Sequence, residues 1–253
     1  MNICVIGRAR TRSSVFCESV AVYHGLKNYN ETYATASTPL FNPFFFRNLS
    51  KSEKDKFTWN RYQDLILKIT EEMFETKNFI TKLWPKWFIQ NSEGKRVISE
   101  NLQDFNIITN LQKYFKILDY DKIYWIDRSI TDSICSLSFV YTVKKFHSPI
   151  STLKQPIIID VNSRWVQHYL FDILISSKFR NFLDENKIVY TSLTYDEVPQ
   201  YCIKNYAGVE GFEFVDGKRN YKTLIKNYEE VENYVFNFLS SNTYLVENIK
   251  FDL

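Results

Sequence analysis

Only six glycines, six prolines, four cysteines, three histidines and two methionines occur among 253 residues. So few helix and strand breakers argue against low-complexity or collagen-like structure and for a packed, helix-rich chain in which each glycine has a positional job. The cysteines, Cys4, Cys17, Cys135 and Cys202, form no C-x-x-C pair and have no nearby histidine. Buried, reduced thiols are the expectation, rather than a disulfide framework or a zinc site. No apolar run approaches the ~20 residues of a membrane span, and a strand pattern begins right after Met1. A soluble, cytoplasmic protein without a membrane span or leader is therefore expected. Charge of one sign is also lacking. Lys and Arg number 32 against 29 acidic residues, a net +3, which does not mark a general nucleic-acid binder.

Aromatics, in contrast, are abundant, at 17% with 21 Phe and 17 Tyr, enough to build a large core. Short apolar runs predict strands over 2–7, 79–84, 122–127 and 187–192, with a weaker one over 156–160. Helical periodicity predicts helices near 13–26, 51–76, 102–117, 129–146, 163–185 and 227–240. Strands alternating with helices predict a central, mainly parallel sheet flanked by helices, in a single domain spanning 1–253. Residues 205–222, with Gly208, Gly211 and Gly217, read as a loop or irregular segment able to close over a site.

The first turn is the most informative stretch. After Ile3–Ile6 and Gly7 come Arg8, Arg10 and Arg12, then Ser13 and Ser14 at the start of a helix. A helix N-terminus already carries unpaired N–H groups and partial positive charge, so adding arginines there favours an arriving anion. A solvated surface cluster is the blander account. The Walker pattern G-x-x-x-x-G-K-[ST] is absent. A second turn, after 122–127, carries Arg128, Asp132 and Ser136 in an R-x3-D-x3-S spacing. Asp132 and Ser136 share a helix face, and Asp132 suits a first helical turn and a role in orienting the arginine. Both turns belong to the carboxyl edge of a parallel sheet, where ligands bind.

These motifs resemble those of the sulfotransferases that use 3′-phosphoadenosine 5′-phosphosulfate (PAPS). Their 5′-phosphosulfate loop, R-x-G-[ST]-[ST], is matched by Arg10, Thr11, Arg12, Ser13 and Ser14, and their 3′-phosphate motif by Arg128, Asp132 and Ser136. Lys82 in "FITKLW" resembles the family's strand-end lysine. Tyr195 and Asp196 in "VYTSLTYDEV" resemble its Y-E-D-L segment. The stretch "TRSSVFCESVAVYHGL" followed by "YNETY" is similar to the bacterial trehalose sulfotransferase branch and puts Glu31 at the position of the base. The resemblance covers most of the chain in order and is dense in 3–33 and 120–140. Arg12 stands where the family has glycine, Tyr29 where it has proline, and Trp84 where the cytosolic branch has its histidine.

What the resemblance implies is a three-layer, P-loop-like fold and transfer of a sulfuryl group from PAPS, as co-substrate, to a small-molecule or carbohydrate hydroxyl. Glu31, Arg10 and Lys82 would be catalytic. Arg8, Arg10, Thr11, Arg12, Ser13, Ser14, Arg128, Ser136 and Tyr195 would bind the nucleotide, with no metal required. An inactive nucleotide-binding relative and a nucleotide-dependent phosphotransferase are the alternatives.

Several residues keep two readings. Lys82 is an active-site lysine or a snorkelling edge residue. Trp84, Trp87 and Phe88 form an acceptor wall or core, and Phe41 with Phe44–Phe46 an acceptor pocket or loop packing. Lys218, Arg219 and Asn220 reach the 3′-phosphate or are solvated. His24 is a helix-end histidine or a catalytic one, while His147 and His168 read as surface or capping residues.

Overall fold

The computed structural model describes residues 1–8, 11–29, 71, 73, 75–85, 120–143, 155–206 and 220–242. Five strands form one sheet: β1 (Asn2–Gly7), β2 (Lys27–Asn28), β3 (Phe79–Leu83), β4 (Lys122–Asp127) and β5 (Thr191–Thr194). Their order is β2-β3-β1-β4-β5, and every pairing is parallel. The helices among the described residues are α1 (Ser13–His24), α2 (Ile130–Val143), α3 (Arg164–Glu185), α4 (Glu197–Tyr206), α5 (Tyr221–Leu224) and α6 (Tyr228–Ser241). None is long and apolar enough to cross a membrane.

Side-chain alternation along the strands divides the core. Ile3, Val5, Ile80, Tyr124, Ile126 and Leu193 pack against Phe16, Cys17 and Val20 of α1 and against Val198, Cys202 and Tyr206 of α4. On the opposite face the Trp125 ring meets Phe179 of α3 at 6.3 Å between centroids. A second cluster joins α2, α3 and α6 through Ile134, Leu170, Ile173, Val231 and Val235. The central strands β1 and β4 are buried on both faces, as continuous apolar runs in a parallel sheet require.

This topology creates a switch point. From β1 the chain goes to β2 and β3 on one side, and then crosses to β4 and β5 on the other. The helix after β1 packs on one face and the helix after β4 belongs to a separate cluster. The turns that follow β1 and β4 thus lie side by side at the switch point, the place where ligands of open parallel sheets bind.

The expected strands over 2–7, 79–84 and 122–127 and the helices beginning near 13, 129, 163 and 227 are present. The last strand is not at 187–192 but at Thr191–Thr194. Its ladder partners are Tyr124–Asp127, Lys187 turns the chain in the left-handed region (φ 56°), and Val189 is 88% exposed. Pairing with β4, not the apolar pair Ile188–Val189, decides where the strand lies. At 156–160 a single bridge, Ile157 to Ile225, replaces a strand. Sequence periodicity did not signal β2, α4 or α5. The predicted helix over 102–117 and most of 51–76 lie outside the described residues, as do residues 207–219 of the loop expected at 205–222. The ends of that stretch are helical instead, Tyr206 closing α4 and Tyr221 opening α5.

All four cysteines are free and buried, as composition suggested. Burial raises the thiols of Cys4, Cys135 (to about 12) and Cys202 (to about 11), so these sulfurs are not poised as nucleophiles.

Candidate functional site: a cationic crevice at the carboxyl edge of the sheet

The first turn is tight because Gly7 closes it. A Cβ on Gly7 would meet Thr11 Oγ1 at 2.9 Å, Ser13 Cβ at 3.2 Å and the Ile126 carbonyl at 3.4 Å. Thr11, fully buried, donates its hydroxyl to the Arg8 carbonyl at 2.9 Å and lies 3.3 Å from Ser13 Oγ. Arg12 is the N-cap of α1 and holds the left-handed conformation (φ 64°, ψ 9°), with no side-chain capping bond. A residue with a Cβ adopts that region at a cost, so the backbone here has the shape a glycine would take freely. The first turn of α1 has no acidic residue. Its N–H groups and dipole therefore face the crevice without a competing carboxylate from that turn.

Lys82, on β3, pairs in register with Val5 and so projects on the face that α1 covers. It is buried, and its Nζ donates to Ser14 Oγ at 3.1 Å. Burying an ammonium is unfavourable unless it is hydrogen-bonded, and Ser14 supplies one such bond in the second residue of α1.

Arg8 follows the even-numbered residues of β1 and turns to the other face. Its Nη2 donates to Asp127 Oδ1 at 2.7 Å and to the Arg128 carbonyl at 2.9 Å, and the residue is 6% exposed. The guanidinium thus ties the first turn to the second. Asp127 Oδ2 also accepts from Arg180 Nη1 of α3 at 3.3 Å and from Trp125 Nε1 at 2.9 Å. Sequence reasoning missed Asp127 and Arg180. An acid ending an apolar strand in "YWIDR" is a signal for the first; nothing near "KFRNF" points to the second.

The two turns meet on one ring. The Arg12 guanidinium lies 3.9 Å from the Tyr195 ring centroid, and the Arg128 guanidinium lies 3.9 Å from the same centroid. Arg12 Nη1 donates to the Tyr195 carbonyl at 3.2 Å, while the Tyr195 N–H donates to the Asp127 carbonyl at 2.7 Å. Arg128 is also 5.5 Å from the Tyr221 ring of α5. Cation–aromatic contacts of this kind contribute ~0.5–2 kcal/mol each, according to how far they are desolvated.

Of the remaining second-motif residues, Ser136 is buried on α2. Asp132 accepts a hydrogen bond from Tyr228 Oη of α6 at 3.2 Å, which ties α2 to α6.

No family model and no curated protein matches this chain.

Arg10 and Glu31 lie outside the described residues, as do Trp87, Phe88, Phe41, Phe44–Phe46, His147, Lys218 and Arg219. Tyr29 follows β2, its hydroxyl 2.9 Å from Thr76 Oγ1. Trp84 directly follows β3, and Asn220 directly precedes α5. His24 sits at the end of α1 away from the crevice, with Tyr23 and Tyr206 rings 4.7 and 5.7 Å away. Burial, and then the charge of Lys122, lower its pKa from 6.5. No group of three or more potential metal ligands occurs among the described residues.

Proposed function

We propose that the protein is a PAPS-dependent sulfotransferase acting on the hydroxyl of a carbohydrate or small molecule. The observation that carries this reading is the convergence of Arg12, from the first turn, and Arg128, from the second, on the Tyr195 ring. Two motifs more than a hundred residues apart in the chain, each resembling one phosphate site of that family, meet on one ring.

The residues fit such a nucleotide. Arg128, with Ser136 on the following helix, would hold the 3′-phosphate. The first turn would act in a P-loop-like way, with Arg10, Arg12, Thr11, Ser13, Ser14 and the N–H groups of α1 around the 5′-phosphosulfate. Bound there, PAPS supplies a sulfuryl group that passes to the acceptor oxygen as its bond to the 5′-phosphate breaks, leaving adenosine 3′,5′-bisphosphate. Glu31 would accept the proton of the acceptor hydroxyl. Lys82, held against Ser14, would place a buried positive charge beside the loop, and Arg10 would offset charge developing on the bridging oxygen. Arg8 would act at one remove, by keeping the two turns in register.

Calorimetry with adenosine 3′,5′-bisphosphate, ADP and AMP tests the reading. Hydrogen bonds to charged groups contribute ~1.5–3 kcal/mol each, so the 3′-phosphate should strengthen binding by about one to three orders of magnitude. Arg128→Ala should erase most of that preference. Equal affinity for the three nucleotides would sink the proposal.

One observation favours a second reading, a nucleotide binder without turnover. Arg12 puts a side chain where the resembling enzymes have glycine. Incubation with PAPS and a library of sugars and small alcohols, read by mass spectrometry, separates the two: binding without any sulfated product selects the binder.

A further inference from the structure

Tyr195 is held at both ends of its own peptide unit. Its N–H is bonded to the last residue of β4, Asp127, and its carbonyl accepts from Arg12 at the entrance to α1. The side chain is thereby fixed between the two turns, and both guanidiniums rest 3.9 Å from its centroid. The two positive charges are consequently no farther apart than twice that distance. Like charges so close repel each other. A π-face attracts each of them and guanidinium, being weakly hydrated, stacks well on it, which offsets part of that repulsion. An anion beside the pair reverses its sign.

We infer that Tyr195 is the specificity-determining element that joins Arg12 and Arg128 into one receptor for a doubly phosphorylated nucleotide. This rests on the functional reading above and extends it. Arginine side chains lose considerable rotamer freedom when a ligand orders them. With the ring in place that ordering precedes binding, so a ligand bearing an anionic group for each arginine gains twice. A ligand with one phosphate draws on only one of the two contacts. The ring therefore contributes more to binding of the bisphosphate than to binding of the monophosphate, and its face, not its hydroxyl, carries the effect.

The experiment is calorimetric titration of adenosine 3′,5′-bisphosphate and of AMP into wild type, Tyr195→Phe and Tyr195→Leu, with thermal melts to verify folding. Tyr195→Phe keeps the ring and should hold bisphosphate affinity within about threefold. Tyr195→Leu should weaken bisphosphate binding by roughly five- to thirtyfold, and AMP binding by clearly less. Tyr195→Met replaces the Leu variant if that one does not fold. Arg128→Gln, which takes the charge for the 3′-phosphate off the ring while leaving Tyr195 in place, should reproduce the same selective loss, whereas Arg12→Gln should weaken both nucleotides. A folded Leu or Met variant with the full preference for bisphosphate over AMP overturns the inference and leaves the functional reading standing, as does a loss equal for both nucleotides. Wild type with no such preference overturns the functional reading and the inference together.

Discussion

Arg8 reaches from the end of β1 to the end of β4, with its Nη2 2.7 Å from Asp127 Oδ1 and 2.9 Å from the Arg128 carbonyl. The side chain of Arg8 is 7% exposed and that of Asp127 34%. The pair is thus buried on one side and partly screened on the other. Removing one partner of a fully buried pair costs ~3–5 kcal/mol, and the partial exposure of Asp127 reduces that. Arg8→Met should therefore lower unfolding free energy by about 2–3 kcal/mol in urea titrations. Asp127→Asn should destabilise as well, because it leaves two guanidiniums, Arg8 and Arg180, beside an uncharged amide. A loss below about 0.5 kcal/mol for both variants would remove Arg8 from its role as the tie between the turns.

Arg12→Gly sets two effects against each other. A left-handed residue with a Cβ costs ~1–2 kcal/mol relative to glycine, and the contact with the Tyr195 ring contributes ~0.5–2 kcal/mol. Stability should therefore change by less than about 1 kcal/mol in either direction. Binding of adenosine 3′,5′-bisphosphate, in contrast, should weaken markedly. Parallel denaturation and calorimetry of this one variant separate the backbone role of Arg12 from its charge; unchanged binding would take its guanidinium out of the site.

The β1–α1 turn could be anticipated from "IGRARTRSS", because an apolar run, a glycine and a hydroxyl pair before a helical pattern are local signals. The same holds for the strand that ends at Asp127. Arg8 and Arg12 could not be told apart in this way. Both are arginines of one cluster, and only the alternation of β1 and the left-handed backbone at Arg12 send Arg8 to Asp127 and Arg12 to Tyr195. Which face Lys82 takes was likewise not legible, and only its register with Val5 puts it on the α1 side.

Stability should depend on pH through His24. Its pKa in the folded protein is lowered from 6.5, first by burial and then by the charge of Lys122. The unfolded chain therefore takes up the proton first. This contribution is fully present above pH 6.5 and declines as the pH falls from 6.5 through the lower folded-state value. His24→Asn should flatten that limb of a stability–pH curve between pH 7 and pH 5, relative to wild type. Turnover should be little changed, because His24 lies at the edge of the sheet opposite the crevice. Superimposable curves for the two proteins would contradict the assignment.

Glu31→Gln tests the base. General acid–base catalysis typically supplies ~100- to 10,000-fold, so turnover with PAPS and a competent acceptor should fall by that range while nucleotide affinity holds. Wild-type turnover in the Gln variant would take Glu31 out of the mechanism.

By itself the sequence determined the class of the fold, the central strands β1 and β4, the helices that follow them, and the buried state of the cysteines. Each of these follows from periodicity or composition, which are properties of neighbouring residues. The tertiary structure decided the rest. It moved the last strand to Thr191–Thr194, since a strand exists where its partner offers unpaired N–H and carbonyl groups, and β4 offers them at Tyr124–Asp127. It joined Asp127 to Arg8 and Arg180, and Tyr195 to Arg12 and Arg128. Such contacts join side chains from 53 to 183 residues apart, as with Arg180–Asp127 and Arg12–Tyr195, and they arise only because a parallel sheet gathers the carboxyl ends of all its strands on one edge.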